Sequence, residues 1–285
     1  YSVVTNIDKE HLDFYKNFKN LQNSFVKFIN RTPLIGKSFL CIDDPELKKL
    51  IPRIKNKNFL TYGFSKRANF QILKVVYKKD HSFFNLKISV PGSKSKVIKR
   101  IKLNLIGKHN VLNSVAAVAL CLHIGVSIDI IKSSLKKFTG IQRRLTKVFS
   151  INGREFFDDY AHHPTEIKSV LKSLKITSLG RKVVSVFQPH RYSRLRLLKK
   201  DFASAFKDSD LVILCPVYPA GEKVDRKYKA INFAELISKD SKVQVIMVQD
   251  EYDLKKFFVK NLLDDEIVVC MGAGSISKWI REMNL

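Results

Sequence analysis

Four short β-branched runs divide the second half of the sequence: KVVSVF (182–187), DLVILC (210–215), KVQVIMV (242–248) and EIVVCMG (266–272). After each run, apolar residues recur at helical spacing, over about 193–207, 231–238, 251–262 and 275–282. Strands that alternate with amphipathic helices form a parallel sheet covered on both faces. Residues 182–285 therefore predict an α/β, doubly wound domain of the Rossmann type.

The first half predicts a second α/β unit with a more mixed sheet. SVVTNI (2–7) and SFLCI (38–42) predict short strands, and the β-rich segment 59–105 predicts antiparallel hairpins around glycine-containing turns. The change of pattern between the halves places a domain boundary near residue 145, so the predicted domains are 1–144 and 145–285.

Besides a short helix that starts at Asp43-Asp44-Pro45, three longer helices are expected in this first half, over about 14–30, 107–125 and 128–138. In the earliest of them, large apolar side chains recur at helical spacing: Phe14, Phe18, Leu21, Phe25 and Phe28. The middle one carries an alanine-rich face and is predicted to stop at Gly125.

Composition excludes several classes of protein. The chain has 285 residues, 45% hydrophobic and 27% charged, which suits one or two globular cores. No apolar run reaches the roughly 18 residues that a transmembrane helix requires, and no signal peptide is visible. The four cysteines form no CxxC pair, which disfavours a disulfide scaffold or a thiolate zinc site and indicates a cytoplasmic protein.

The formal net charge of +26 has the sign that nucleic-acid binding requires. However, Lys outnumbers Arg by 39 to 13. Lys gives a solvated point charge, whereas Arg would bind a phosphate through two parallel hydrogen bonds. We find no run of five like charges and no nucleic-acid-binding motif. AT-rich codon usage is the favoured explanation, an anionic small ligand comes second, and nucleic acid is disfavoured.

His11 follows the first strand, with Glu10 and Asp13 beside it. Ligands of open α/β sheets bind at the carboxyl ends of strands. An imidazole at such an end can hold a divalent cation together with carboxylate and phosphate oxygens. The alternative is a surface histidine in a helix-capping turn.

GKHNVLN (107–113) opens a predicted helix, with Asn110 and Asn113 one turn apart on the same face. Asn amides can both donate to and accept from a purine edge, and helix N-termini attract anions. An ordinary asparagine N-cap is the alternative.

The pair Arg143–Arg144 lies at the predicted boundary, where a guanidinium could reach a phosphate. Just beyond it, DDYAHHPTE (158–166) gathers two Asp and two His before a helix that starts at Pro164. Such a density of titratable groups is typical of a functional site. A solvated linker pair and a polar capping loop are the respective alternatives.

HRYSR (190–194) places Arg191 and Arg194 on one side of a helix that begins after a buried strand. Two guanidinium groups at this spacing suit a carboxylate or phosphate ligand. The alternative is a solvated basic face, since Arg196, Lys199 and Lys200 follow.

Taken in order, these motifs resemble those of the Mur ligase family, the ATP-dependent amide-forming enzymes of peptidoglycan synthesis. The matching strings are TNI-x-x-x-H-x-D (5–13), G-x-HN-x-x-N (107–113), F-x-G-x-x-RR (138–144), DDY-x-HHPTE (158–166), FQPHRYSR (187–194) and VYPAGE (217–222). FQPHRYSR resembles the branch that joins L-alanine to UDP-N-acetylmuramate. The branch that recycles murein tripeptide shares a DD-x-AHHPT element but lacks this string.

The resemblance implies a fold and a reaction. Residues 1–144 would be the latter part of the central ATPase domain, a mixed sheet with helices, and 145–285 the Rossmann-like C-terminal domain. The substrates would be UDP-N-acetylmuramate and L-alanine, with ATP and Mg²⁺ as cofactors, and with neither nucleic acid nor membrane insertion. The sugar carboxylate would be activated as an acyl phosphate and attacked by the alanine amine.

The resemblance also assigns site residues. His11 matches the histidine that helps to hold a magnesium ion. Arg144 matches an arginine directed at the γ-phosphate and Asp159 a carboxylate that meets the ribose. The implied ATP-binding set is His109, Asn110, Asn113, Arg144 and Asp159. The implied substrate-binding set is Tyr160, His162, His190, Arg191 and Arg194, and the implied catalytic set is Arg144, His162, His190, Arg191 and Arg194.

Two departures from the family pattern are visible. Glu10 stands where the family usually has Asp before the metal-binding histidine. The sequence contains no GxxxxGK[ST] phosphate loop, and PGSKSK (91–96) lacks its spacing. The family carries that loop, and a UDP-binding domain, before the strand at which this sequence begins. We therefore expect the later part of a ligase that is inactive alone, with an inert remnant, the tripeptide-recycling ligase and a nucleic-acid-binding protein as alternatives.

Overall fold

The computed structural model describes residues 1–283 and divides the chain into two units, the first ending at Thr139 and the second beginning at Gly140. Each unit is an α/β structure built around a six-stranded sheet. The predicted α/β class is therefore confirmed. The assignment of 1–144 and 145–285 to two functional domains stays a prediction.

The sheet of the first unit has the strand order β1-β2-β3-β4-β5-β6, so each strand lies beside the next one along the chain. Its elements are β1 (Ser2–Val4), α1 (Leu12–Tyr15), α2 (Phe18–Asn30), β2 (Ser38–Cys41), α3 (Pro45–Leu50), β3 (Phe59–Gly63), β4 (Phe70–Tyr77), β5 (Ser82–Ile88), β6 (Lys96–Leu103), α4 (Lys108–His123) and α5 (Ile128–Lys137). Strands β1 to β4 pair in parallel, and β4, β5 and β6 form the predicted antiparallel hairpins. The mixed sheet is confirmed.

The helix predicted over residues 14–30 is wrong as a single element. Lys16 has a positive φ of 70° and ends α1, and the side chain of Asn17 accepts the backbone N–H of Asn20 to begin α2. An N-capping Asn competes with helix continuation in this way. Because of the break, Phe14 points to solvent with 76% of its surface exposed.

Helix α4 lies over the first sheet and contacts β2, β3 and β4. Its buried face consists mainly of small and β-branched side chains: Val111, Ser114, Val115, Ala116, Val118 and Ala119. Small side chains allow a helix to approach a sheet closely, which accounts for the alanine-rich pattern seen in the sequence. The helix ends before Gly125, as predicted, and Gly125 has a positive φ of 89°.

The sheet of the second unit has the order β11-β10-β9-β12-β8-β7. Its elements are β7 (Thr146–Ile151), β8 (Arg154–Asp159), α6 (Pro164–Thr177), β9 (Val183–Phe187), α7 (Tyr192–Leu197), α8 (Lys199–Ala203), β10 (Leu211–Leu214), α9 (Ala230–Ser241), β11 (Gln244–Met247), α10 (Glu251–Asn261), β12 (Ile267–Met271) and α11 (Ile276–Glu282). All pairs are parallel except β7 with β8. Separate apolar clusters cover the two faces, as the doubly wound prediction requires.

The four predicted strands of this unit are confirmed as β9, β10, β11 and β12. The helix expected over 193–207 is instead two short helices, α7 and α8, that meet at Leu198. None of the helices within residues 1–283 combines the length and the apolar character that spanning a bilayer requires.

Candidate active site

Four loops of the second unit meet at the carboxyl edge of its sheet. Strands β8, β12, β9 and β10 are consecutive neighbours and parallel, so the segments that follow them lie side by side. These segments are 160–163, 272–275, 188–191 and 215–229. Ligands of open α/β sheets bind at this edge, and three of the predicted motifs lie on it.

Asp158, at the end of β8, is completely buried and anchors α11. Its Oδ2 accepts hydrogen bonds from Ser277 Oγ at 2.7 Å and from Arg281 Nε at 3.0 Å. Its Oδ1 lies 3.9 Å from Arg143 Nε, and neither of these two atoms has a hydrogen-bond partner among residues 1–283. The buried carboxylate of Asp158 thus lies beneath the site and faces two partly exposed arginines, Arg143 and Arg281.

Asp159, the next residue, is 2% exposed, and its carboxylate accepts hydrogen bonds from two backbone amides. Its Oδ2 accepts Leu145 N–H and its Oδ1 accepts Ala161 N–H, both at 2.7 Å. Burial raises the pKa of this carboxyl to about 6, although the two amides and the charge of Arg144 act in the opposite direction. The carboxylate therefore ties the segment after Arg144 to the loop after β8, and its predicted contact with a ribose stays a prediction.

The guanidinium groups of both boundary arginines lie close to the ring of Tyr160. The guanidinium carbon of Arg143 lies 4.6 Å from its ring centroid and that of Arg144 5.9 Å. Arg143 has a positive φ of 58° and donates from Nη2 to the carbonyl of Gly272 at 2.7 Å. Arg144 is the more exposed of the two, and its Nη1 lies 3.6 Å from Glu166 Oε1.

The two adjacent histidines have different environments. His163 is buried and caps α6: its Nδ1 accepts Thr165 N–H, and Glu166 Oε2 accepts His163 N–H at 3.2 Å in a reciprocal capping box. His162 is half-buried, and its Nδ1 lies 2.9 Å from the carbonyl of Tyr160. The structure thus gives His163 a capping role. Of the two adjacent histidines, His162 is the one whose ring lies beside those of Tyr160 and His190.

His190, Arg191 and Arg194 surround the start of α7. Arg191 precedes the helix with a φ of 69° and ψ of 132°, which is unusual for a residue with a side chain. Arg194 Nη1 lies 3.1 Å from both the carbonyl and the Nδ1 of His190. Burial, together with the charges of Arg194, His162 and Arg191, lowers the pKa of His190 to about 4.

A row of four rings crosses this edge of the sheet. Ring centroids are 5.1 Å apart for Tyr160 and His162, 5.8 Å for His162 and His190, and 5.6 Å for His190 and Tyr218. The last pair is stacked, with an interplanar angle of 14°. Guanidinium groups lie at the Tyr160 end and beside His190, so the row presents donors and positive charge to an anionic ligand.

The loop 272–275 supports this row from β12. Gln188 is buried; its Oε1 accepts Ile276 N–H at 3.0 Å and its Nε2 donates to Ser275 Oγ at 2.9 Å. A Cβ added at Gly274 would lie 2.5 Å from both Gln188 Oε1 and Tyr218 Cγ. Glycine is needed at this position because the backbone touches both side chains.

The first unit holds the remaining predicted site residues. His11 is exposed and has a left-handed backbone with a φ of 53°; it is the N-cap of α1, and its side chain makes no capping bond. Within residues 1–283, no group of three or more His, Cys, Asp or Glu side chains is arranged to hold a metal ion. The role of His11 as a metal ligand stays a prediction.

His109, Asn110 and Asn113 lie in the first two turns of α4, as the sequence predicts. Gly107, with a φ of 96°, is the N-cap of this helix, so the alternative of an asparagine N-cap is wrong. Asn110 Nδ2 instead donates to the carbonyl of Ile106 at 2.8 Å. Asn113 is exposed. Their role in adenine binding stays a prediction.

Sequence reasoning missed several residues that build the site: Arg143 as a structural guanidinium, Asp158, Gln188, Glu222 and the glycines of MGAGS (271–275). A signal existed for the last of these, since a glycine-rich turn between a buried strand and a helix is typical of a ligand edge. The hydrogen-bond partners of Asp158, Ser277 and Arg281, lie more than 100 positions away along the chain, so no local pattern reveals them.

Comparison with known families supports this geometry. Residues 1–121 match the model of the Mur ligase middle domain, and residues 143–274 match the model of the Mur ligase glutamate ligase domain. The two matched segments contain every predicted site residue.

Curated relatives extend the similarity over nearly the whole chain. A UDP-N-acetylmuramate–L-alanine ligase from Pelagibacter ubique is 50% identical over 283 residues, which cover 99% of this chain and 61% of the relative. The ligase of the same name from Rhodospirillum rubrum is 37% identical, with 99% and 59% covered. The chain thus spans about three fifths of the length of these relatives.

Solved structures share the fold. A UDP-N-acetylmuramate–alanine ligase from Thermotoga maritima has a TM-score of 0.74 at 24% identity and covers 98% of this chain and 57% of its own. A murein peptide ligase from Psychrobacter arcticus has a TM-score of 0.65 at 18% identity, with 100% and 58% covered.

Proposed function

The chain belongs to the Mur ligase family, and we propose that it is the part of an ATP-dependent ligase that helps to join L-alanine to UDP-N-acetylmuramate. The observation that carries the proposal is the 50% identity to a ligase with this name across 99% of the chain. That match includes the loops that gather His162, His190, Arg191 and Arg194 at one sheet edge.

The geometry of the second unit suits an amino-acid acceptor. Arg191 and Arg194 offer the bidentate donors that an α-carboxylate prefers. The uncharged imidazole of His190 lies beside them, and His162 follows in the row of rings. Attack of an amine on an acyl phosphate creates an oxyanion, and donors fixed in a partly buried pocket stabilise such a charge.

Each unit contributes residues proposed to bind ATP. In the first unit His109, Asn110 and Asn113 supply imidazole and amide groups at the start of α4. In the second, Arg144 supplies an exposed guanidinium, and Asp159 fixes the backbone beside it. When bound, ATP supplies the phosphoryl group that activates the sugar carboxylate.

Magnesium is the implied metal, and the donors near His11 fit it in part. The exposed His11 is flanked along the sequence by the acidic residues Asp8, Glu10 and Asp13. Mg²⁺ keeps several waters and takes one or two protein ligands with phosphate oxygens, so a preformed cage is not required. His11 would supply one ligand of the metal ion. The proposed location of the protein is the cytoplasm.

The test uses an assembled ligase, in which the part of the Pelagibacter ubique relative outside its match to this chain is joined to residues 1–285 in the relative's own order. The assay mixes it with ATP, Mg²⁺, UDP-N-acetylmuramate and L-alanine, and measures ADP release together with the alanyl product by mass spectrometry. Alanine-dependent product is expected. The matched control is the same assembly carrying His190→Gln and Arg191→Ala.

Other outcomes select the alternatives. Product formed with murein tripeptide but not with alanine would assign the chain to the recycling branch. A folded assembly that forms neither product would indicate an inert remnant. Salt-sensitive binding of duplex DNA, with a log K slope of about −0.9 for each phosphate neutralised, would favour a nucleic-acid-binding protein.

A further inference from the structure

Helix α7 carries Arg194 and follows Arg191, yet it has no capping side chain of its own. Its N-cap position is Arg191, whose side chain makes no capping bond. The first N–H groups of a helix have no partner within the helix and must find one elsewhere. In this helix the partner comes from another loop of the same unit.

That partner is Glu222, at the end of the VYPAGE motif (217–222). Its Oε2 accepts Ser193 N–H at 3.1 Å, and its Oε1 accepts a hydrogen bond from the hydroxyl of Ser193. One side chain therefore satisfies a backbone donor and a hydroxyl at the start of α7.

The backbone of the Glu222 loop is joined to the same segment. Tyr218 N–H donates to the carbonyl of Pro189 at 2.8 Å, and Arg191 N–H donates to the carbonyl of Tyr218 at 2.9 Å. Glu222 N–H donates to the carbonyl of Pro219 at 3.0 Å, which closes a turn. The carboxylate is thus presented from a turn that is itself bonded to the arginine segment.

The electrostatic setting keeps Glu222 ionised. Burial alone would raise its pKa, but the hydrogen bonds from Ser193 and the charge of Arg191 help to outweigh burial and lower the pKa below its ordinary value. A carboxylate that accepts backbone N–H groups also compensates the positive end of a short helix. Neither effect places Glu222 on a substrate.

We infer that Glu222 is a positioning residue, which fixes the turn from which Arg191 and Arg194 project and thereby sets the affinity for the amino-acid substrate. This inference rests on the proposed function. It predicts that loss of the carboxylate raises KM for alanine far more than it changes KM for ATP, since the ATP-binding residues lie on other elements.

The test compares Glu222→Gln with Glu235→Gln in the assembled ligase; Glu235 is an exposed glutamate on α9. Glu222→Gln is expected to raise KM for alanine about tenfold, the effect of losing one charge-assisted bond, while kcat and KM for ATP change less than threefold. Glu235→Gln is expected to match the wild type. An unchanged KM for alanine, or an equal rise of KM for ATP, would overturn the inference.

A double-mutant cycle with Ser193→Ala isolates the contact. In the Ser193→Ala background, Glu222→Gln should raise KM for alanine by less than it does alone. Full additivity would contradict a role exerted through Ser193.

Amide NMR of the 285-residue chain gives a measurement independent of activity. The Ser193 N–H proton should shift upfield in Glu222→Gln, and an unchanged shift would show that the bond is absent. Failure of the wild-type assembly to use alanine would count against the proposed function and leave the NMR result as the test of the contact.

Discussion

Arg194 Nη1 donates to His190 Nδ1 across 3.1 Å. A guanidinium has no acceptor, so Nδ1 of the imidazole must be the unprotonated nitrogen of the pair. The proton of the neutral ring then lies on Nε2. Because the pKa of His190 is lowered to about 4, the residue is an uncharged donor at neutral pH, with its tautomer set by Arg194.

The first prediction concerns this tautomer. Ring ¹⁵N spectra of the 285-residue chain should show His190 with the proton on Nε2 from neutral pH down to about pH 5, and titration near pH 4. Arg194→Met should move the titration toward the ordinary value of 6.5, because the nearby charge is removed. His190→Gln identifies the signal. A proton on Nδ1 at pH 7 would show that the contact with Arg194 is not made.

The same shift has a consequence for stability. A histidine whose pKa is lower in the folded state contributes stability that is present above pH 6.5 and is lost as the pH falls toward 4. His190→Gln should therefore be less sensitive to acid than the wild type between these values. Urea unfolding followed by the fluorescence of Trp279, the one tryptophan of the sequence, reports on the second unit. Parallel pH profiles for the two proteins would contradict the lowered pKa.

The second prediction concerns the substrate arginines. In the assembled ligase, Arg191→Ala or Arg194→Ala should lower kcat/KM for alanine by two orders of magnitude or more, since a lost charge-assisted contact in a site shielded from water costs about 2–4 kcal/mol. Arg196→Ala is the matched control, because Arg196 is exposed and only pairs with Asp225 at 3.4 Å. Near-normal kcat/KM in either variant would remove that arginine from the site.

The third prediction concerns the ion pair between the buried Asp158 and the partly exposed Arg281 beneath the site. Asp158→Ala leaves Arg281 and Ser277 without their acceptor and should destabilise the second unit by about 2–3 kcal/mol, a value reduced because Arg281 is partly exposed. Asp264→Ala breaks an exposed pair with Arg154 and should cost less than about 1 kcal/mol. The free energies come from urea unfolding monitored at Trp279. Equal costs for the two variants would mean that burial of Asp158 does not increase the contribution of its ion pair to stability.

The sequence predicted the parts of the fold that local periodicity determines. Strands β9 and β12 are buried on both faces, so their sequences are nearly continuous β-branched runs that stand out from the flanking helices. The break at Lys16 and Asn17 was not predictable from the phenylalanine spacing. It depends on one hydrogen bond, from the backbone N–H of Asn20 to the side chain of Asn17.

The candidate site shows a similar division. Tyr160, His162 and His190 could be singled out from the sequence because each follows a strand end within a recognisable motif, and their roles stay predictions. The distinct roles of the two boundary arginines were hidden, since only the three-dimensional structure shows Arg143 bonded to Gly272 and Arg144 facing Glu166. Glu222 and Ser193 are 29 positions apart, and their contact depends on which strands are neighbours.

The last prediction concerns Asp159, whose pKa is raised to about 6 by burial. The carboxyl has an ordinary pKa of 3.8 in the unfolded chain, so the folded state holds a proton that the unfolded state loses between pH 3.8 and 6. Stability associated with this group is therefore present below pH 3.8 and declines as the pH rises to 6, by about 3 kcal/mol at about 1.36 kcal/mol per pKa unit.

Asp159→Asn removes this titration at the cost of one backbone bond, because its NH₂ group would face either Leu145 N–H or Ala161 N–H. The variant should be less stable than the wild type at pH 4, and the difference should narrow or reverse by pH 7 as ionisation penalises the wild type. Urea unfolding at Trp279 across this range measures the difference, with Asp201→Asn, a substitution at an exposed aspartate, measured in parallel as a control. A pH-independent difference for Asp159→Asn would show that the buried carboxyl ionises at its ordinary pKa, and that the two backbone amides fully offset its burial.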